Sequence, residues 1–130
     1  MKNLKKIFSF SILFTLILVL PVMQPIKAQA PIGITINADG SVTPSSTAMQ
    51  MEGNTYVITA DLNSSLTIER GNIAVDGANH TLQGPGTSQN SVAITLMASN
   101  VTIENLRVTN WKAGVYGAFN NNTITNNVFA

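Results

Sequence analysis

The feature that most constrains the fold is a motif that repeats after 21 residues. The segment Asn100–Phe129 reads NVTIENLRVTN, then the spacer WKAGVYGAFN, then NNTITNNVF. Aligning the second block with the first makes three pairs coincide: Ile103 with Ile124, Asn105 with Asn126, and Val108 with Phe129. A period of about 20 to 30 residues with short strands and asparagine-rich turns is typical of stacked β-solenoids. The motif therefore predicts an all-β chain built from successive coils.

Three rows of short strands extend this repeat through the chain. Apolar and polar residues alternate within each strand, so one aliphatic set faces inward: Ile58, Ile68, Val75, Leu82, Ile94, Ile103, Val108 and Ile124. The predicted first row is Tyr56–Thr59, His80–Gln83, Leu106–Thr109 and the start of Val128–Ala130. The second is Leu66–Glu69, Val92–Thr95 and Gly114–Tyr116, and the third is Ile73–Asp76, Val101–Glu104 and Thr123–Thr125.

The spacing predicts which row centres lie opposite one another. In the first row we expect Ile58, Leu82, Val108 and Phe129 to lie opposite one another in successive coils. The equivalent residues are Ile68, Ile94 and Val115 in the second row, and Val75, Ile103 and Ile124 in the third. The insertion Gly84–Asn90 (GPGTSQN) predicts a loop that lengthens the middle coil, because glycine and proline mark loops.

Asparagine and glycine recur at one predicted corner. Asn105 and Asn126 occupy it in two coils, and Gly77 takes the equivalent place one coil earlier. Both residue types tolerate a left-handed backbone, which a sharp corner requires. Stacked asparagine amides can also hydrogen-bond from coil to coil. We interpret this corner as structural rather than as a ligand site.

The segment before the coils predicts a hairpin. In Gly33–Thr43 (GITINADGSVT), alternating apolar residues flank Asp39-Gly40, a pair that suits turns in which both positions have positive φ. The following Pro44–Gln50 (PSSTAMQ) predicts a loop. We expect residues 31–53 to cap the first coil and residues 54–130 to form the repeats, because an uncovered strand edge leaves backbone groups unpaired.

The N-terminal 30 residues have the pattern of a secretory signal peptide. Three lysines in Met1–Lys6 precede the apolar run Ile7–Leu20, and Ala28-Gln29-Ala30 closes the segment. The apolar run is shorter than the roughly 20 residues that span a bilayer. We expect cleavage near residues 29–31 and a secreted or cell-surface protein. An uncleaved leader, in which the apolar stretch continues to Met23, is the alternative and the only expected membrane contact.

Composition excludes some classes of function. The chain has no cysteine, which rules out disulfides and thiolate metal sites. From Pro31 onward three basic and six acidic residues give a net charge of −3. Nucleic-acid binding needs dense positive charge, so we expect no nucleic-acid partner.

The segments AVDGANHTLQG (Ala74–Gly84), NVTIENLRVTN and NNTITNNVF resemble repeats of right-handed parallel β-helix proteins. The resemblance is to NosD-like members of the pectin-lyase-like superfamily, grouped as carbohydrate-binding proteins and sugar hydrolases. With the ADGSV opening, the chain is similar to secreted archaeal members. The resemblance implies a right-handed parallel β-helix of about three coils with an N-terminal capping hairpin.

The catalytic signatures that the resemblance would imply do not occur. The polygalacturonase-like motifs Asn-Thr-Asp, paired Asp, Gly-His-Gly and Arg-Ile-Lys are absent from the sequence. A copper-maturation role would need soft or imidazole ligands, but the chain has one histidine, His80, and no cluster of histidine with methionine. We expect no cofactor.

Candidate sites are few. Asp76 and Glu104 stand at equivalent places and could bind Ca²⁺ or act as an acid/base pair, although a solvated outer face is the interpretation we prefer. Trp111 and Tyr116 could stack on sugar rings or pack at a coil edge. Sequons that could accept glycans occur at four asparagines, although an Asn- and Thr-rich composition also produces them by chance: Asn63, Asn79, Asn100 and Asn121.

Three functional interpretations remain open. The first is a carbohydrate-interacting or adhesive module without catalysis, whose partner is a polysaccharide or cell-surface glycan. The second is the N-terminal part of a polysaccharide lyase or glycoside hydrolase, and the third is a NosD-like copper-maturation accessory protein. Ala130 falls inside a predicted first-row strand, so we expect further β-helix coils beyond it.

Overall fold

The computed structural model describes residues 33–88 and 90–130, and every regular element within these ranges is a β-strand. The predicted signal peptide lies outside the described residues. Among the described residues, no helix has the length and hydrophobicity of a membrane span. The strands are β1 (Ile34–Ile36), β2 (Val42–Thr43), β3 (Met49–Glu52), β4 (Thr55–Ile58), β5 (Leu66–Ile68), β6 (Ile73–Asp76), β7 (Thr81–Gln83), β8 (Val92–Leu96), β9 (Val101–Glu104), β10 (Arg107–Thr109), β11 (Ala113–Tyr116), β12 (Thr123–Thr125) and β13 (Val128–Phe129).

The strands form three sheets that the chain visits in rotation. Sheet 1 has the order β2-β1-β5-β8-β11, sheet 2 has β3-β4-β6-β9-β12, and sheet 3 has β7-β10-β13. From β5 onward each strand enters a different sheet from its predecessor, and all pairs among these strands are parallel. The all-β prediction with parallel sheets is therefore confirmed.

The registers confirm the predicted third row and the last three members of the predicted first row. In sheet 2, Val75 pairs with Ile103, and Ile103 pairs with Ile124. In sheet 3, Leu82 pairs with Val108, and Val108 pairs with Phe129. The predicted loop Gly84–Asn90 contains no strand among its described residues.

In the second row Val115 pairs with Ile94 as predicted, but the register between β5 and β8 differs from the prediction by two residues. Ile94 pairs with Leu66, whereas Ile68 pairs with Leu96. A slip of two residues keeps every side chain on the same face of the sheet, because side chains alternate with a period of two. The apolar alternation could not distinguish the two registers.

The first member of the predicted first row was assigned to the wrong sheet. Its residues lie largely in β4, which pairs in parallel with β6 of sheet 2. Sheet 3 is instead extended by an isolated parallel bridge from Leu62 to Leu82. The alternation of Thr55–Ile58 fits either sheet. The pairing with β6 places β4 in sheet 2, where β3 adds an antiparallel strand that pairs with β4 over four residues. Much of β3 falls in the predicted loop Pro44–Gln50.

The predicted N-terminal hairpin is confirmed, but its turn differs. β1 and β2 pair antiparallel, and β1 also pairs in parallel with β5. Only Gly40 has positive φ, at 93°, so the expected positive φ at Asp39 is wrong. The N–H of Gly40 donates to the Asn37 carbonyl and the N–H of Asn37 donates to the Ser41 carbonyl, the pattern of a three-residue loop.

The core lies between the three sheets. Seven of the eight predicted inward residues are buried, and the aliphatic column is extended by Leu66, Leu96, Val101 and Leu106. The exception is Ile124, which is 45% exposed. It lies on β12, the outermost strand of sheet 2, so no described strand covers its second side.

Candidate functional site

The two candidate carboxylates are neighbours in the sheet. Asp76 on β6 pairs with Glu104 on β9. One Asp76 oxygen, Oδ1, accepts hydrogen bonds from the Ala78 backbone N–H at 2.9 Å and from Asn105 Nδ2 at 3.0 Å. The described residues contain no group of three or more acidic or histidine side chains that could hold a metal ion. Calcium takes six to eight oxygen ligands, so this pair supplies only a small part of such a site.

The predicted asparagine corner is left-handed at two of its three positions. Asn105 has φ 55° and Asn126 has φ 53°. Gly77 does not have positive φ, so the expected left-handed backbone is wrong there. A Cβ at Gly77 would lie 2.6 Å from the Asn105 carbonyl oxygen and 2.6 Å from the Leu106 Cα. Close approach of Asn105 and Leu106, rather than backbone conformation, requires glycine at this position.

A second asparagine corner was missed in the sequence. Asn72, Asn100 and Asn121 have φ values of 58°, 58° and 57°. The side chain of Asn100 donates a hydrogen bond from Nδ2 to Asn72 Oδ1 at 3.1 Å. This is the hydrogen bond between stacked asparagine amides that was expected at the other corner. The sequence contained a signal for this corner, because the three asparagines recur with the same spacing as the third-row strands that follow them.

Two further asparagines, next to β12 and β13, bind backbone groups of the preceding repeat. Asn122 Oδ1 accepts from the Val101 N–H, and Asn127 Oδ1 accepts from the Leu106 N–H, both at 2.9 Å. The Nδ2 group of Asn127 also donates to the Ile103 carbonyl at 2.9 Å. These amides satisfy backbone groups where the chain turns between strands.

All four predicted sequon asparagines are exposed. Asn79, Asn100 and Asn121 have positive φ, and Asn100 uses its amide nitrogen to bind Asn72. Glycosylation at these positions stays a prediction.

His80 has a carboxylate partner that sequence reasoning did not find. Its Nδ1 lies 3.3 Å from Asp61 Oδ1, and both side chains are solvent-accessible. The Thr81 backbone N–H, at 2.8 Å, and the His80 ring both hydrogen-bond Asp61 and lower the pKa of its carboxyl. The bridge between Leu62 and Leu82 places Asp61 beside Thr81.

The two candidate aromatic residues have different environments. Trp111 is partly buried against the core, and its Nε1 donates to the Leu82 carbonyl at 2.9 Å. Its ring also lies against Gly84, where a Cβ would be 2.7 Å from Trp111 Cδ2. Tyr116 is 68% exposed at the end of β11. Of the two rings, Tyr116 is the one with a surface open to a ligand.

Tyr116 continues a row of hydroxyl side chains across the outer face of sheet 1. Thr35 pairs with Thr67, Thr67 pairs with Thr95, and Thr95 pairs with Tyr116. We call these four residues the hydroxyl row. Their side chains make no hydrogen bond to any residue that the structure describes, so the hydroxyl groups are available to a ligand. Neighbouring strands place them about 4.8 Å apart.

A cavity of about 280 Å³ opens beside β11 and β13. It is lined by Val108, Trp111, Lys112, Gly114, Phe129 and Ala130. A Cβ at Gly114 would lie 2.5 Å from Phe129 Cδ1, so the phenyl ring occupies the space above this glycine. The lining includes one cation, Lys112, whose Nζ donates to Asn90 Oδ1 at 2.7 Å.

Comparisons of the chain with protein-family models, with curated proteins and with solved structures found no match.

Proposed function

We propose that the chain is a right-handed parallel β-helix module of a secreted or cell-surface protein that binds carbohydrate without catalysing a reaction. The fold proposal is supported by the rotation of successive strands through three sheets and by their parallel pairing. In this arrangement each turn of the chain adds one strand to every sheet, which is how a solenoid grows. The right-handed sense rests on the general preference of parallel crossover connections.

The hydroxyl row is the observation that carries the binding proposal. A threonine hydroxyl can both donate and accept a hydrogen bond, which matches the hydroxyl groups of a sugar. The exposed ring of Tyr116 offers an apolar face beside a polar tip at the end of the row. Because the row crosses the strands at a regular spacing, it suits an extended chain of sugar units better than a single small molecule.

The absence of catalysis is proposed from what the candidate acid and base groups already do. Asp76 accepts two hydrogen bonds that hold the corner at Ala78 and Asn105. The Asp61 carboxylate likewise accepts the Thr81 backbone N–H. Asp76, one member of the candidate pair, and Asp61 therefore have structural partners. Glu104, the other member of the pair, lies on β9 in sheet 2, so none of the three carboxylates is in the hydroxyl row of sheet 1.

The proposal is tested by affinity electrophoresis in gels that contain soluble neutral or acidic polysaccharides. We expect retardation by at least one polysaccharide, and at least tenfold weaker binding for Tyr116→Ala. Thr95→Val keeps the side-chain shape and removes one hydroxyl, so we expect about a 2- to 10-fold loss, equivalent to one hydrogen bond of about 0.5–1.5 kcal/mol.

Thr102→Val is the matched control, because Thr102 has the same residue type and partial exposure on the outer face of sheet 2. It should leave binding unchanged. No retardation by any polysaccharide, or equal losses for the two threonine variants, would contradict the assignment of the hydroxyl row.

A further inference from the structure

We infer that the hydroxyl row selects a neutral polysaccharide over an acidic one, and that Glu69 determines this specificity. The inference rests on the proposed function, because it names the class of ligand that the same site takes. It concerns the outer face of sheet 1 alone.

Glu69 lies next to the hydroxyl row. It follows β5 directly, and its N–H donates to the Ile36 carbonyl at 2.9 Å, so the ladder between β1 and β5 continues to this residue. Side chains two residues apart on a strand point to the same face and lie about 7 Å apart, which places Glu69 beside Thr67. Glu69 is exposed, and its carboxylate makes no hydrogen bond or ion pair with any residue that the structure describes.

The neighbour of Glu69 in the next strand carries no charge. The N–H of Met97 donates to the Ile68 carbonyl at 2.8 Å, so the ladder between β5 and β8 also continues by one residue. Met97 is 51% exposed and stands two residues after Thr95, on the same face. This flank of the hydroxyl row therefore offers a ligand one carboxylate and one apolar side chain.

The carboxylate of Glu69 can act on a sugar in two opposite ways. An ionised carboxylate only accepts hydrogen bonds, and a sugar hydroxyl can donate one that the charge strengthens. The same charge repels a carboxylate or sulfate group on an acidic sugar. Glu69 thus favours a ligand that carries hydroxyl groups without negative charge.

The basic residues of the described part do not offset this charge. Arg70 Nη1 donates to the Tyr56 hydroxyl at 3.1 Å, and Lys112 Nζ donates to Asn90 Oδ1 at 2.7 Å. Arg107, the third basic residue after Pro31, lies on β10 in sheet 3. Arginine and lysine are the side chains that bind acidic groups through charge-assisted hydrogen bonds. The hydroxyl row therefore lacks the partner that an acidic polysaccharide needs.

The expected discrimination follows from the distance between Glu69 and the row. A unit charge about 7 Å away changes affinity by about threefold in a dielectric like that of water, and by more near the protein surface. At 0.1 M salt the screening length is about 10 Å, so Glu69 acts on a ligand in the row while more distant carboxylates are largely screened.

The experiment is affinity electrophoresis of the full chain with matched pairs of polysaccharides. Dextran, starch and hydroxyethyl cellulose are each compared with the carboxymethyl derivative of the same backbone, and retardation is measured relative to a gel without polymer. At 0.1 M salt we expect the neutral member of a pair to bind at least about threefold more tightly. The difference should shrink at 1 M salt, where the screening length is about 3 Å.

Three variants assign the discrimination to one residue. Glu69→Gln keeps the side-chain shape and removes the charge, so the two members of a pair should bind within about twofold of each other. Glu69→Lys should reverse the preference. The matched control is Glu52→Lys, because Glu52 is an exposed glutamate on β3 of sheet 2 and its replacement changes the net charge equally. It should leave the preference unchanged.

The outcomes separate this inference from the function on which it rests. Retardation by acidic polysaccharides alone, or equal binding of both members of a pair, would overturn the neutral class and leave carbohydrate binding in place. Equal effects of the two lysine variants would assign the preference to net charge and overturn the role of Glu69. A chain that no polysaccharide retards would overturn both the proposed function and this inference.

Discussion

Replacing Asn105 by alanine tests what holds the predicted corner. Asn105 has φ 55°, and its Nδ2 donates to Asp76 Oδ1 at 3.0 Å. Alanine removes the hydrogen bond and must also adopt the left-handed conformation. Asn126 provides an internal comparison, because it stands one repeat later in the same corner with φ 53° and makes no side-chain hydrogen bond to described residues.

The expected losses of stability follow from the left-handed backbone, which both positions share, and from the hydrogen bond to Asp76, which only Asn105 makes. An L-residue other than glycine, asparagine or aspartate loses about 1–2 kcal/mol in the left-handed region. A part-buried hydrogen bond contributes about 0.5–1.5 kcal/mol to the free energy of unfolding. Asn105→Ala should therefore destabilise the protein by about 2–3 kcal/mol and Asn126→Ala by about 1–2 kcal/mol. Asn105→Gly loses the bond but not the backbone conformation, and should cost less than Asn105→Ala.

Urea unfolding followed by circular dichroism measures these differences. A loss of about 1 kcal/mol lowers the melting temperature of a domain this size by about 4–8 °C, so thermal unfolding provides a second measurement. Equal losses for alanine at the two positions would show that the bond to Asp76 contributes nothing. Losses below about 0.5 kcal/mol at both positions would refute the role of the left-handed backbone.

Two further predictions concern a close contact and a pH dependence. Gly77→Ala places a Cβ 2.6 Å from the Leu106 Cα and should cost at least about 2 kcal/mol in urea unfolding, whereas Gly53→Ala, with φ 64° and no atom within 4 Å of the added Cβ, should cost about 1 kcal/mol. The Ser41 hydroxyl and backbone N–H lower the pKa of Asp39, and the Thr81 N–H lowers the pKa of Asp61. Both carboxylates therefore stabilise the fold fully above their unfolded pKa and lose this effect as the pH falls through the lowered folded pKa. The melting temperature should decrease below about pH 4, and it should decrease less steeply in the double variant Asp39→Asn with Asp61→Asn. The same dependence of melting temperature on pH in both proteins would contradict the role of these two carboxylates.

The parts of the fold that were predicted correctly are those where the motif repeats with one spacing. Ile103 with Ile124 and Val108 with Phe129 pair as the alignment of the two blocks requires. The predictions failed nearer the N-terminus, where the sequence spacing between paired strands varies. There the alternation of Thr55–Ile58 suited two sheets equally, and it is the pairing of β4 with β6 that places the strand in sheet 2. A hydrophobic pattern specifies the buried face of a strand more strongly than it specifies the neighbouring strand.

The same limit explains why the hydroxyl row could not be found in the sequence. With Ile68 opposite Ile94, as the spacing predicted, Thr67 would lie opposite Ala93 and the row would be interrupted. The observed register moves the pairing by two residues and brings Thr67 opposite Thr95. The core is insensitive to this shift because Leu66, Ile68, Ile94 and Leu96 are all aliphatic and all buried. The outer face is sensitive to it, since a continuous row exists in only one of the two registers. A surface built across strands therefore depends on the register to a degree that the core of the same sheet does not.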